Sequence, residues 1–224
     1  MRTVSVVGFS GTGKTRLVIR LVAELKARGL RVAAVKRCSH GFALDTEGKD
    51  TAEFSRAGAD GVAMISPEGW AAVAPRAPAE ARRLARRVFP EADVVIIEGG
   101  KGASGPPKIE VLRSGVSDVL TNRPEELLAV VSDRPLPDAP IPVLGPDETA
   151  RLADLILSTE EAAMADITLE VDGREINLNA FVQTVFERTV VGMVTSLSGI
   201  DPEPRRITLV IDREGAARPP REKP

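Results

Sequence analysis

The sequence predicts an α/β protein, a doubly wound and mainly parallel sheet, with a small α+β unit at the C-terminal end. Three observations carry this. Short apolar runs alternate with helical patterns over residues 1–162, the signature of strand–helix–strand crossovers. Asp93–Ile97 (DVVII) is a nearly continuous apolar run, as a central parallel strand buried on both faces is. After residue 163 the pattern changes to a hairpin, one helix and a last strand.

Thr3–Val7 (TVSVV) reads as the first buried strand, followed by Gly8-Phe9-Ser10-Gly11-Thr12-Gly13-Lys14-Thr15. A Gly, four residues and then Gly-Lys-Thr is the phosphate-binding (P-loop) pattern. Gly8, Gly11 and Gly13 let backbone N–H groups, with those of Ser10 and Thr12, converge on phosphate oxygens. Lys14 is placed to reach the β/γ-phosphates and the Thr15 hydroxyl to bind Mg²⁺. An amphipathic helix follows, with Leu17, Val18, Leu21, Val22 and Leu25 on one face and Gly29 closing it. Strand, glycine loop and helix is the context of a P-loop NTPase-type sheet. In such sheets ligands bind at the C-terminal edge of the strands.

Arg31–Lys36 is the second strand. The loop from Arg37 to Gly48 leads to a short helix, Lys49–Ala57, and Gly61–Ser66 is a third strand that Trp70–Ala74 can pair with. Pro78–Phe89 reads as a helix whose Arg82, Arg83, Arg86 and Arg87 form a solvated basic face. Lys108–Leu112, Leu127–Ser132 and Ile141–Leu144 are further strands, and a helix runs from Asp147 to Leu157. In residues 163–212, Ile167–Val171 and Glu175–Leu178 flank an Asp172-Gly173 turn as a hairpin. Asn179 caps a helix reaching Leu197, and Arg206–Ile211 is a last strand. Residues 213–224, charged and proline-rich, read as a disordered tail.

The chain has 224 residues, 43% hydrophobic and 28% charged, with a formal net charge of −2. Nothing global favours nucleic acid. No apolar run approaches the roughly 18–20 residues of a membrane span. The first strand starts at the N-terminus, leaving no room for a signal peptide, and the single cysteine, Cys38, forms no internal disulfide. The expected compartment is the cytoplasm.

Mg²⁺ needs oxygen ligands, and a carboxylate just past a buried strand is their usual second source. Glu98 sits there, before Gly99-Gly100; its other reading is a carboxylate that merely caps the sheet. Asp45 and Asp50 flank Gly48-Lys49, and either can hold a metal-bound water or position a nucleophilic one. His40, two residues from Cys38, is a weak zinc signal, because four ligands are expected. A zinc site shared between subunits, a contact to a substrate phosphate and a plain loop histidine all stay open for it. Lys101 and Lys108 bound a glycine-rich stretch, GGKGASGPPK, that can cover an anionic ligand or simply be a solvated loop.

Taken together, GFSGTGKT, the stretch VKRCSHGFALDTEGKDTAEFSRAGA (Val35–Ala59), IIEGGKG with PKIEVLR (Ile96–Arg113) and LLAVVSD (Leu127–Asp133) resemble the molybdopterin-guanine dinucleotide biosynthesis protein B family. The resemblance covers roughly residues 1–160. It implies a homodimeric P-loop α/β domain of the signal-recognition and dethiobiotin-synthetase type. It also implies a GTP-binding, weakly hydrolysing adaptor that assists the guanylyltransferase joining GMP to molybdopterin, with molybdopterin itself a possible ligand. By matching positions, Gly13, Lys14 and Thr15 carry over as phosphate and Mg²⁺ contacts. His40, Asp45, Gly48, Lys49 and Asp50 carry over as the signature loop, and Glu98 with Lys101 as the acidic-strand motif.

Arg37 stands where some members have histidine, and no Asn/Thr-Lys-x-Asp guanine-reading motif is present, so base preference is not read from the sequence. No arginine finger or glutamine-like water positioner is identifiable, so fast turnover is not expected. Two other readings are an ATP-dependent small-molecule kinase or ligase on the same fold, and a metallochaperone GTPase. The first needs an acceptor pocket, which the Lys101–Lys108 loop can line. One His and one Cys argue against the second.

Overall fold

The computed structural model describes residues 1–38, 50–74, 81–102, 105–159, 167, 169–172, 174–176, 178–204 and 206–211. The chain divides into two compact units, 1–161 and 162–224.

The first unit is built on six parallel strands: β1 (Arg2–Val7), β2 (Val32–Lys36), β5 (Val94–Glu98), β6 (Lys108–Val111), β7 (Leu127–Val131) and β8 (Val143–Leu144). Their order across the sheet is β2-β5-β1-β6-β7-β8. After β1 the chain moves to one side for β2 and β5, then crosses to the other for β6. The winding therefore reverses at β1, and the crevice at such a switch point is where open α/β sheets hold ligands.

Alternation along the strands decides what lies on each face. Val4, Val6, Val94, Ile96, Ile109, Val111, Ala129 and Val131 pack under α1 (Lys14–Ala27) and α4 (Thr149–Ser158), together with Leu17, Leu21, Leu25, Leu152 and Ile156. On the opposite face Ala33, Val95 and Ile97 pack with Ala85 of α3 (Ala81–Val88). Leu112, Leu127 and Val130 form a third cluster. Because strands buried on both faces lose their apolar surface twice over, they form the core of the unit.

Helix α1 buries Leu17, Val18, Leu21 and Leu25, while Val22 is half-buried. It ends in paired bonds, Leu30 N–H to Leu25 O at 3.2 Å and Gly29 N–H to Lys26 O at 3.0 Å, with Gly29 at φ 80°. This is the left-handed glycine termination that satisfies the last helical carbonyls.

Helix α2 (Asp50–Arg56) precedes a hairpin of β3 (Val62–Ser66) and β4 (Gly69–Val73). The pairing read from the sequence is present, but as a separate two-stranded antiparallel sheet. A connection of two residues permits only antiparallel pairing, whereas joining a parallel sheet requires a crossover. The arginines of α3 are more covered than a solvated face: Arg82, Arg83 and Arg86 are half-buried and Arg87 alone of the run is exposed.

The second unit contains β9 (Leu169–Val171), β10 (Arg174–Ile176) and α5 (Ala180–Thr195). The hairpin register pairs Leu169 with Ile176. Asn179 Oδ1 accepts from Val182 N–H at 2.9 Å, the capping bond expected of it. The last strand expected at Arg206–Ile211 is not formed: residues 206–211 pair with nothing in a described ladder, and Leu209, Val210 and Ile211 are exposed. An apolar run becomes a strand only where a neighbouring edge accepts it, and strands of three residues offer little edge. The tail expected to be disordered, 213–224, lies outside the described residues. No helix among the described residues is long and apolar enough to cross a membrane.

Candidate phosphate-loop site

Residues 8–13 leave the end of β1 with Gly8, Gly11 and Gly13 at φ 140°, 81° and 99°. Gly8 has a second requirement: a Cβ there would lie 2.6 Å from Val111 O, so the loop can cross β6 only without a side chain. The Phe9 carbonyl draws the loop together. It accepts from Thr12 N–H at 3.4 Å, from Thr12 Oγ1 at 3.0 Å and from Lys14 Nζ at 2.6 Å. Gly13 begins α1 in the left-handed conformation with no side-chain cap, leaving the first-turn N–H groups directed at the crevice.

Glu98 closes the other side. In β5 it follows Val94 and Ile96 at intervals of two, so its side chain lies on the α1 face. Its backbone is fixed on both flanks, by Arg37 N–H to Glu98 O and Gly99 N–H to Val6 O, both at 2.9 Å. Thr15 Oγ1 donates to Glu98 Oε1 at 2.9 Å. Lys36 ends β2 in register with Glu98, and its Nζ lies 3.7 Å from the same Oε1. Lys101 Nζ stands 3.2 Å above the centre of the Phe9 ring, a cation–π contact.

Lys36 thus lies beside the Glu98 carboxylate, and Glu98, Lys36 and Lys101 are all near enough to Lys14 to act on its charge. The Lys14 pKa is lowered from 10.5, first by burial of the ammonium; Glu98 opposes this, and the like charges of Lys36 and Lys101 add to it. Excess positive charge and unpaired first-turn N–H groups are the chemistry that favours an anion.

The structure brings Gly8, Ser10, Gly11, Thr12, Gly13, Lys14, Thr15, Glu98 and Lys101 to one end of the sheet. Asp50 begins α2. Asp45, His40, Gly48 and Lys49 lie outside the described residues. Cys38 is exposed and unpaired in a disulfide.

Lys108 fits neither expectation for it, the cover of an anionic ligand or a lysine of a solvated loop. Ile109 and Val111 take the α1 face, so Lys108 and Glu110 point to the opposite one. There Lys108 is buried, its Nζ donating to Asn122 Oδ1 at 3.0 Å and Glu126 Oε2 at 3.1 Å. Lys36 is the residue that sequence reasoning missed. Its signal was a lysine ending an otherwise apolar strand, but only the sheet order shows that this strand adjoins Glu98.

A model of the family described as molybdopterin guanine dinucleotide synthesis protein B matches residues 3–133. The chain is 33% identical over 159 residues to the molybdopterin-guanine dinucleotide biosynthesis adapter protein of Escherichia coli, covering 66% of this chain and 87% of that one. It is 33% identical over 133 residues to the adapter protein of that name from Haemophilus influenzae, covering 58% and 74%. Among solved structures, a crystal structure of molybdopterin-guanine biosynthesis protein B superposes with a TM-score of 0.52 at 31% identity, over 70% of this chain and 98% of that one. The Bacillus subtilis MobB structure superposes with a TM-score of 0.55 at 27% identity, over 70% and 97%.

Proposed function

Since the chain belongs to the molybdopterin guanine dinucleotide synthesis protein B family, we propose that it is a GTP-binding, at most weakly hydrolysing adaptor in the making of that cofactor. It would serve the guanylyltransferase that joins GMP to molybdopterin. The observation that carries the nucleotide part is the phosphate loop facing Glu98, with Thr15 Oγ1 and Glu98 Oε1 2.9 Å apart.

The donor set suits Mg²⁺: a hydroxyl and a carboxylate, both hard oxygens, at the edge of the phosphate loop. Thr15 and Glu98 would hold the ion, directly or through water. The ion would supply charge neutralisation for the β- and γ-phosphates. Lys14 would leave the Phe9 carbonyl for the phosphates, and Lys101 and Lys36 would flank them. Asp45 and Asp50 are the candidates to position a water for slow hydrolysis, with His40 and Lys49 in the same signature loop.

The test is a titration with GTP and Mg²⁺ of the full chain and of Lys14→Ala. Loss of one charged phosphate contact should weaken binding by about 1.5–3 kcal/mol. Unchanged affinity in a folded Lys14→Ala variant would refute nucleotide binding at this loop. Stimulation of guanylyl transfer by the wild type, and not by this variant, is the expected functional readout. The reading includes a homodimer, which light scattering on the full chain and on a version ending at Thr159 checks; a full-length monomer at micromolar concentration overturns it.

A further inference from the structure

On the side of β1 away from Glu98, the ends of β6 and β7 and the first turns of α1 line an open cleft of about 280 Å³. It begins at Thr12 and Gly13, so it is continuous with the phosphate loop. Leu17, Val111 and Val131 give it apolar walls, Arg16, Arg20 and Arg113 add guanidinium groups, and Asp133 is the carboxylate of the lining nearest in sequence to β7. Its volume is near the lower end of the ~300–1,000 Å³ of small-molecule sites. A flat heterocycle with hydrogen-bonding edges suits a lining that mixes apolar and charged side chains.

We propose that this cleft takes the base of the bound nucleotide, and that Asp133 selects guanine by accepting hydrogen bonds from its N1–H and N2 amino group. The inference rests on the nucleotide reading above. It assigns a base reader to a chain that lacks the Asn/Thr-Lys-x-Asp motif.

Asp133 is already oriented. Its Oδ1 accepts from Ser114 N–H and from Ser114 Oγ, both at 2.9 Å. Ser114 sits in a turn held by Val116 N–H and Ser117 N–H, which both donate to Arg113 O, at 3.0 and 2.9 Å. The same turn brings Val116 to within 3.9 Å of a Cβ placed on Gly11, against the phosphate loop. No described residue bonds to Oδ2, which is left for a ligand. The Ser114 backbone bond, then its hydroxyl, hold the carboxyl below its usual 3.8, so it is an acceptor only at neutral pH. On the far wall Arg20 is pinned by Pro146 O at 2.8 Å and Asp147 Oδ1 at 2.6 Å, which fixes the cleft's outer edge.

The chemistry discriminates three bases. Guanine offers two adjacent N–H donors to a carboxylate. Adenine offers one amino group beside a ring-nitrogen lone pair, which the carboxylate repels. Xanthine carries a carbonyl where guanine has its amino group, and that oxygen is repelled too.

Asp133→Asn converts the argument into a reversal. The two Ser114 donors keep the amide oxygen on their side, so the NH₂ group takes the place of Oδ2. It would clash with guanine's donors and donate to xanthine's carbonyl.

The experiment titrates the full chain, Asp133→Asn and Ser114→Ala with GTP, ATP and XTP at one Mg²⁺ and salt concentration. The wild type is expected to bind GTP at least roughly tenfold more tightly than ATP or XTP, the worth of a charge-assisted pair. Asp133→Asn should lose that factor for GTP and prefer XTP, and Ser114→Ala should narrow the GTP preference while still binding triphosphate. Equal binding of all three by the wild type overturns the inference, as does a GTP preference that Asp133→Asn leaves intact. In either case weakening of all three nucleotides by Lys14→Ala keeps the nucleotide reading standing. If none of the three binds the wild type, the nucleotide reading itself falls and takes this inference with it.

Discussion

Thr15 Oγ1 and Glu98 Oε1 meet at 2.9 Å across a sequence separation of 83 residues, joining the first turn of α1 to the last residue of β5. The contact exists because two periodicities coincide. Glu98 falls on the α1 face by alternation from Val94 and Ile96, and Thr15 falls one residue after the loop lysine on the helix that covers that face.

Glu98→Gln separates the charge of this pair from its shape. The amide oxygen can still accept from Thr15, so the fold should persist. The carboxylate that would ligate Mg²⁺ is gone. The gain in triphosphate affinity on adding Mg²⁺ is expected to shrink by roughly tenfold or more, the scale of a lost charged contact. Calorimetric titrations with Mg²⁺ and with chelator measure it, and an undiminished Mg²⁺ dependence would show that the ion is held elsewhere.

The lowered Lys14 pKa makes a prediction about protons. Burial pushes it below 10.5 in the free protein, with Glu98 acting against the shift. A bound polyphosphate favours the charged ammonium and raises the value. Between the two values the complex holds a proton that the free protein lacks, so binding takes up protons there and affinity falls as pH rises. Titrations in buffers of different ionisation enthalpy, at a pH approaching 10.5 from below, detect the uptake. Lys14→Arg, which stays charged throughout this range, should abolish it.

Gly8 and Gly11 both have positive φ, but their surroundings differ. At Gly8 a Cβ would meet Val111 O at 2.6 Å; at Gly11 the nearest atom is 3.9 Å away. Alanine at either pays the left-handed strain of about 1–3 kcal/mol. Only Gly8→Ala adds a backbone collision, so it should be the more destabilising of the two in urea unfolding. Equal losses would mean that β6 yields easily at Val111.

Much of this was legible in the residues, and the reason is local. Glycine spacing, the apolar run before Glu98, the Leu17–Leu25 stripe and the Asn179 cap are each dictated by neighbours in the chain. What failed depended on partners distant in sequence. Arg206–Ile211 has strand composition but pairs with no strand among the described residues. Lys36 acquires its place only because β2 pairs with β5, and Asp133 because Ser114, 19 residues earlier, turns back to hold it.

Lys108 was misread for a different reason, since its alternation with Ile109 was present in the sequence, and it leads to the last prediction. With Glu110 it belongs to a buried polar network on the face opposite α1. Glu110 is fully buried and accepts from Thr121 N–H at 2.8 Å, Thr121 Oγ1 at 2.5 Å, Asn122 N–H at 3.1 Å and Asn122 Nδ2 at 3.0 Å. Glu110→Ala takes the acceptor from four donors, of which the two of Asn122 are buried and the two of exposed Thr121 can turn to water. Each buried unpaired group costs about 1–3 kcal/mol, so the loss should be at least ~2 kcal/mol by chemical denaturation. Lys108→Met keeps the apolar stem and removes a single ammonium, leaving the Glu110 bonds intact, so it should cost less. Triphosphate affinity should not change in Lys108→Met, because its ammonium is directed to Asn122 and Glu126 and not to the crevice. A loss of nucleotide binding in that variant, with stability near wild type, would return Lys108 to the phosphate site and overturn the face assignment made from β6.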